Sequence, residues 1–461
     1  MLINQDLTGG HFIAGQPPLE YEDVHGEEYA THYYRCLPIS YGIELQFLIP
    51  VLTRGQQDPH PDERRIPIVV EEGTSDSDIS RLVTQDVLDL LRGTAQVPTT
   101  THLGPPFPSG KEFDELDAES KAVSGNPEYS QWIVVTDDNL LPQKDPFSQH
   151  YTWVGVKVKS NKRDTSQLNH FDQVGRVIEI LRGNLRIRLA PTTSLMIHVG
   201  ESYHDPMAHE LGPRHLRVFC TMWWFLENYV LELVHPSRRT HPECLPLRRY
   251  SRLARFSEEE LEGENMHPGD FAYWYRQMHF LLPHISSGDM MQMEGIWRAD
   301  NSVTIAQRMM VPITKWYTME MTGLKKPLLT EGRGSVGFSG FCKWGLHTMI
   351  NEHNNGHTGT LEFRSLESTL DTTLVVNWLA VVTRLFDFAR RGNTRDIMGI
   401  MTRAIVAEAG AVISPETKAE YSGLQLLEDL GLPEQAQYFK TKIQGHSESM
   451  TEEFDTLFVP F

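Results

Sequence analysis

Glu44 and Gln46 stand two residues apart in "YGIELQF", and Glu362 and Arg364 stand two apart in "TLEFRS". On a strand that spacing puts both members of a pair on one face. A carboxylate there is solvated, or binds a cation, or handles a proton. Glu362 and Arg364 can equally form a structural ion pair across strands. Lys157 and Lys159 flank Val158 in "GVKVKS", an arrangement that usually marks an exposed edge strand. His198 lies in the apolar string "SLMIHVG", where a core histidine and a proton carrier read alike.

Several other strings carry reactive side chains. Arg238 belongs to the basic run "PSRRTHPECLPLRRYSRLARF", which could hold a phosphate or carboxylate inside an otherwise acidic protein. "WWFLENY", with Trp224, and "FAYWYRQMHF" read as core helices that could also line an apolar chamber. "DDNL" reads as a turn, with an acidic pair facing a nucleotide as the alternative. "NEHNNGHTG" holds two histidines around an Asn-Asn-Gly turn, and no zinc site is expected. "GRGSVGFSG" lacks the lysine and spacing of a phosphate-binding loop and is expected to be a mobile loop.

The elements that would position these residues follow from periodicity. "PISYGIELQFLIPVL" alternates as a strand, with Ile43, Leu45, Phe47 and Ile49 on one side. "QWIVVTDDNLL", "YTWVGVKVKS", "TTSLMIHVGES" and "GTLEFRSLESTLD" supply further strands. Helices are expected over "SDSDISRLVTQDVLDLLRG", ending before Gly93, over "FDQVGRVIEILRG", over "RVFCTMWWFLENYVLELVHPS" as far as Pro236, and over "TTLVVNWLAVVTRLFDFAR". Residues 1–37 form an N-terminal arm. Residues 94–130 are an insertion in a principal domain of 38–390, and 391–461 form a peripheral helical extension. Strands and helices interspersed in this way indicate an α+β fold around a mostly antiparallel sheet.

With 461 residues the chain can bury one large core or two or three smaller ones. A net charge of −19 argues against nucleic acid or an anionic membrane as partner. The four cysteines lie far apart without a CxxC pair, which fits a reducing compartment. The first residues lack the order of a secretory signal, and no apolar run reaches a bilayer's width, so a cytoplasmic location is expected. The oligomeric state is not legible.

Four segments in order, "YGIELQF", "GVKVKS", "SLMIHVG" and "TLEFRSLESTLD", resemble the motifs of the fungal putative amidoligases. That family belongs to the carboxylate-amine ligase superfamily with glutamine synthetase. The resemblance spans roughly residues 40 to 390. It implies a curved sheet forming a glutamine synthetase-like funnel, with ATP and Mg2+ held by carboxylates and imidazoles, and amide formation through an acyl phosphate. Glu44, His198, Glu362 and Arg364 match family positions. Gln46 and Lys157 stand where the pattern has glutamates, and Met196 stands where it has a histidine. These replacements change the formal charge by about +3 in a partly desolvated cleft. An ammonium, an amide and a thioether are poor ligands for a hard cation.

The expectation is therefore an enzyme on the amidoligase fold, of a kind suited to specialised metabolism, with its ATP and metal chemistry weakened or lost. Glu44, Lys157, His198, Glu362 and Arg364 would act as acid–base or charge-stabilising groups on a small molecule, without metal or cofactor. Gln46, Met196, Trp224 and Arg238 would line the substrate. Lys157 would fill a vacated cation position beside Glu44 or Glu362. An ATP- and Mg2+-dependent ligase is the alternative, regained if Asp137, Asp138 or Glu367 enters the funnel. A non-catalytic binding protein is the third reading.

Overall fold

A computed structural model describes residues 38–101, 131–142, 148–166, 169–201, 213–242, 244–255, 257, 285–299, 301–318, 325–331, 334–338, 341, 359–413, 421–449 and 458–460. The arm 1–37, most of the 94–130 insertion, "FAYWYRQMHF" and the histidine string around 351–358 lie outside these residues.

The chain is α+β. Its strands are β1 (Ile39–Thr53), β2 (Ile68–Val70), β3 (Thr99–Thr101), β4 (Trp132–Thr136), β5 (Thr152–Lys159), β6 (Arg163–Asp164), β7 (Leu195–Glu201), β8 (Pro312–Thr318), β9 (Lys325–Glu331), β10 (Val336–Gly337) and β11 (Leu361–Phe363). The helices are α1 (Asp76–Leu90), α2 (Asp172–Asn184), α3 (Pro213–Leu231), α4 (Leu247–Tyr250), α5 (Ser287–Trp297), α6 (Ser302–Met309), α7 (Thr372–Arg391), α8 (Thr394–Ile413), α9 (Gly423–Asp429) and α10 (Pro433–Ser449).

The main sheet runs β10-β11-β7-β1-β5-β4-β3, with β2 and β6 also paired to β1, and it does not close. It is mixed: most pairings are antiparallel, while β2 joins β1 and β3 joins β4 in parallel. β1 is long enough for β5 on one side and β7 on the other to pair with its central residues. Pairing with β5 runs from Glu44 to Val51 and with β7 from Ile39 to Leu45, so Glu44 and Leu45 have a neighbour on both of these strands.

One face of the sheet is apolar. Ile43, Leu45, Phe47 and Ile49 of β1 join Val156, Val158, Ile197, Val199, Leu361 and Phe363 in the core. α1, α2, α3 and α7 cover this face, and Phe219 and Trp223 of α3 meet the Phe363 ring edge-on. Thr372–Arg391 is long and apolar enough to cross a bilayer, but Val375, Trp378, Leu379, Val382 and Phe386 are buried against protein. That pattern belongs to a core helix.

Local chemistry sets the helix ends. Ser75 caps α1 by accepting from the Asp78 N–H, and Asp371 caps α7 by accepting from Thr373 and Leu374. Gly93 does not terminate the first helix as expected, since Leu91–Ala95 continues it as a π turn closed by the left-handed Gln96. α3 stops at Leu231, before Pro236 forces a break, and a short 3-10 turn starts at that proline. Part of "GRGSVGFSG" is ordered into β10, where Ser335, Val336 and Phe338 are buried, so that part is not a surface loop.

Contrary to the expectation of peripheral helices, α8, α9 and α10 enter the same core. Met398, Met401, Leu426, Leu427, Leu430 and Phe439 are all buried there. α8 and α9 pack on α3, while α10 packs on α7 and α9. Lys442 of α10 forms an ion pair of 2.6 Å with Glu367, just past β11.

Candidate functional site

The opposite face of the sheet gathers the sequence-predicted residues by strand parity. Glu44 lies opposite Met196 on β7 and Lys159 on β5, and Gln46 lies opposite Lys157. His198 lies between Gly42 and Glu362. Lys157 and Lys159 are thus on an interior strand, between β1 and β4, and not on the exposed edge that paired lysines usually mark.

Glu44 is buried, and four polar groups converge on or beside it. Ser194 Oγ donates to Gln46 Oε1 at 2.8 Å, and Gln46 Nε2 donates to Glu44 Oε1 at 3.0 Å. Lys157 Nζ lies 3.3 Å from Glu44 Oε1, and Lys159 Nζ lies 3.5 Å from Oε2. Gln46 is therefore the link that orients the carboxylate, a role its neutral amide can fill because it both accepts and donates.

Asp137, from the turn after β4, closes the other side of Lys157 at 3.0 Å. The turn bends over the sheet because residue 155 is glycine. A Cβ there would meet the Asp137 carbonyl oxygen at 2.3 Å and Leu140 Cβ at 2.7 Å. Asn139 donates from both its backbone and its side chain to Asp137 Oδ1, so the "DDNL" string is a turn and also delivers an acid to the face. Burial alone would press the Lys157 ammonium down, but Glu44 and Asp137 outweigh it and hold its pKa above the ordinary lysine value. Burial likewise opposes the Asp137 carboxylate, yet Lys157 and Asn139 leave its pKa lowered.

Glu362 is buried and held by Arg364 of the same strand end, with Nε to Oε1 at 2.6 Å and Nη2 to Oε2 at 2.9 Å. The pair runs along the chain and not across strands. The guanidinium lies over Gly337, where a Cβ would come within 3.0 Å of it. Desolvation opposes the Glu362 charge, while Arg364, His198 and Lys159 overcome it and lower its pKa.

Two residues expected to line a substrate are not on this face. Trp224 lies on α3 behind the apolar side, buried, with Nε1 donating to Asp289 at 3.0 Å. An aromatic in a helix that is apolar all round gives no signal of which side it faces. Arg238 is also buried, and it donates to the Arg364 carbonyl oxygen at 2.6 Å, so it braces the backbone of β11. Glu367 does not enter the face, being held by Lys442 and by the His235 N–H.

Lys159 was seen in the sequence only as the neighbour of Lys157, yet its side chain is the most exposed of the three cations on the face, at 39 % against 22 % for Lys157 and 13 % for Arg364. Asp137 reads in sequence first as a turn residue, with entry into the site as the alternative, and the structure brings it onto the face. Its signal was Gly155, the one small residue in an otherwise bulky strand.

The donor set does not suit a divalent cation. Each carboxylate oxygen of Glu44 and Glu362 already faces a lysine, an arginine or an amide donor, and Met196 brings only a soft sulfur. Among the described residues no three His, Cys, Asp or Glu side chains are grouped to hold a metal ion.

The carboxylates also set an acid limit on stability. Glu362 and Asp137 have folded-state pKa values below their unfolded ones, and Arg65, despite partial desolvation, helps pull Glu63 down to about 2. Groups depressed on folding stabilise the protein above the unfolded pKa and lose that contribution as pH falls through the folded one. Unfolding free energy is therefore expected to drop as pH falls from 4.5 toward about 2. Denaturant titrations across that range should show the slope, and Glu362→Gln should flatten it.

No protein-family model, curated protein or solved structure matches this chain significantly.

Proposed function

We propose that the polar face is a metal-independent site for a small molecule, on a sheet that diverged from the glutamine synthetase-like funnel of the amidoligases. The observation that carries this reading is Lys157 held between Glu44 and Asp137 at 3.3 and 3.0 Å, where the family pattern calls for a cation ligand. An internal ammonium neutralises the carboxylates that would otherwise attract magnesium. Phosphoryl transfer depends on divalent cations to offset charge on the transferring group, and here the carboxylates that would hold them are engaged by Lys157, Lys159 and Arg364.

What remains is acid–base chemistry. Three cations face three carboxylates, so the face is close to neutral when His198 is unprotonated. His198 can take a proton from the ligand and return it to another atom of the same ligand. Lys159, partly exposed and 3.5 Å from Glu44, is the cation available to a developing oxyanion. Lys157, Glu44, Gln46 and the Glu362–Arg364 pair hold the frame. A rearrangement, cyclisation or elimination within one small molecule fits these roles, and it needs neither ATP nor an oxidant.

The competing reading is an ATP-dependent carboxylate-amine ligase, and the approach of Asp137 favours it by adding a third carboxylate to the face. Calorimetric titration with ATP separates the two. No magnesium-dependent binding is expected at millimolar ATP. Binding that requires magnesium and disappears in Glu44→Ala or Glu362→Ala would replace the present reading with the ligase. Screening small-molecule extracts for turnover then tests the acid–base role, with His198→Gln expected to abolish any activity found. A face that binds and turns over nothing would be a scaffold.

A further inference from the structure

The segment Phe458–Pro460 lies against the far end of β5. Val459 is fully buried and its N–H donates to the Ile187 carbonyl oxygen at 2.8 Å. Arg182 Nε donates to the Pro460 carbonyl oxygen at 2.5 Å. The Phe458 ring sits among His60, Tyr151 and Trp153, with centroids at 5.6, 6.0 and 6.5 Å, and the Arg186 guanidinium lies 5.6 Å from its centre.

Trp153 shares a strand face with Gly155 and Lys157, because all three are odd-numbered positions of β5. Its ring packs against a small cluster of Leu48, Leu140 and Ala190, separate from the main core. Leu140 belongs to the turn that folds over Gly155, and its N–H donates to the Asp137 carbonyl oxygen at 3.1 Å. The turn is also tied down by the Asp137 N–H, which donates to the Gly155 carbonyl oxygen at 2.9 Å, and by Thr192, which accepts from the Leu141 N–H and donates to its carbonyl. A continuous line of packed groups therefore runs from Phe458 through Trp153 and Leu140 to the Asp137 carboxylate at Lys157.

We propose that Phe458 is a positioning residue for the polar face: seated in the His60–Tyr151–Trp153 box, it fixes Trp153 and so keeps the 137–140 turn, and Asp137 with it, against Lys157. The proposal rests on this contact line and on the Lys157–Asp137 pair, not on any activity of the face. Its success or failure is thus independent of whether a substrate is ever found.

The test follows the Lys157 ammonium in the full chain by NMR of labelled lysine, supported by trace acylation read by mass spectrometry. Asp137→Asn is expected to lower the Lys157 pKa by about one unit, the loss of one close opposite charge. Phe458→Ala should lower it in the same direction, and the double variant should move it no further than Asp137→Asn alone. Phe458→Leu, which keeps apolar bulk, should give a smaller shift and serves if the alanine variant does not fold. A side chain that merely adds stability would lower the melting temperature and leave Lys157 untouched. The proposal is overturned if both Phe458 variants leave the Lys157 titration in place, if their shifts add to that of Asp137→Asn, or if Asp137→Asn itself has no effect.

Discussion

Lys157→Gln is expected to convert the polar face into a divalent-cation site. Removing the ammonium leaves the Glu44 and Asp137 carboxylates, each formerly within 3.3 Å of it, facing one another beside the Gln46 amide. Breaking a buried ion pair costs about 3–5 kcal/mol because the remaining charge is stranded. Lys157 is only half-buried and Lys159 still touches Glu44, so a loss of about 2 kcal/mol is the appropriate expectation here. Magnesium or calcium should restore part of it, by mass action on the folded state alone. Urea titrations of both proteins, with and without millimolar magnesium, give the answer. A variant as indifferent to magnesium as the wild type would mean that Lys157 does not stand in for a cation.

The second large effect lies away from the face. Glu227, near the C-terminal end of α3, is completely buried, and among the described residues no cationic side chain is its hydrogen-bond partner. Four donors hold it: Trp223 Nε1, Ser335 Oγ, and the backbone N–H groups of Leu247 and Arg248 at 2.7 and 3.0 Å. Burial lifts its pKa against their combined pull. The carboxylate joins α3, the entrance to β10 and the first turn of α4. Glu227→Gln keeps the volume but turns one acceptor oxygen into an NH2 that faces other N–H groups. With a penalty of about 1–3 kcal/mol for each stranded donor, a loss of about 3 kcal/mol is expected. Equilibrium unfolding measures it directly, and a change below about 0.5 kcal/mol would show that the donors find other acceptors.

Strand parity made most of the polar face legible in advance. A period of two needs no tertiary information, so Glu44 with Gln46, Lys157 with Lys159, and Met196 with His198 could each be set on one face from the string alone. What joined the pairs was register, and the alternating apolar residues strongly constrained it by requiring one common buried side. Asp137 could be named only as an alternative, because its place depends on a turn folding back over Gly155, which the strand period does not encode. Trp224 and Arg238 were misplaced for a different reason. A helix surrounded by protein has no polar side to point away from a site, and a buried arginine serving a backbone carbonyl looks in sequence like one awaiting an anion. Glu227 was hidden within "WWFLENY" by its aromatic neighbours, although a lone acid in so apolar a helix is itself a signal of buried hydrogen bonding.

The contacts made by α10 and by the 458–460 segment bear on how the chain is synthesised. Lys442 reaches Glu367, and Val459 reaches Ile187, so residues made later complete surfaces laid down much earlier. Until they leave the ribosome, α7 lacks the Phe439 ring that meets Trp378, and the box around His60 and Tyr151 stands empty. Long-range closures of this sort slow folding, and nascent chains wait with apolar surface uncovered. A polypeptide arrested near residue 430 should therefore engage holdase chaperones, whereas release of the segment carrying α10 should end that engagement.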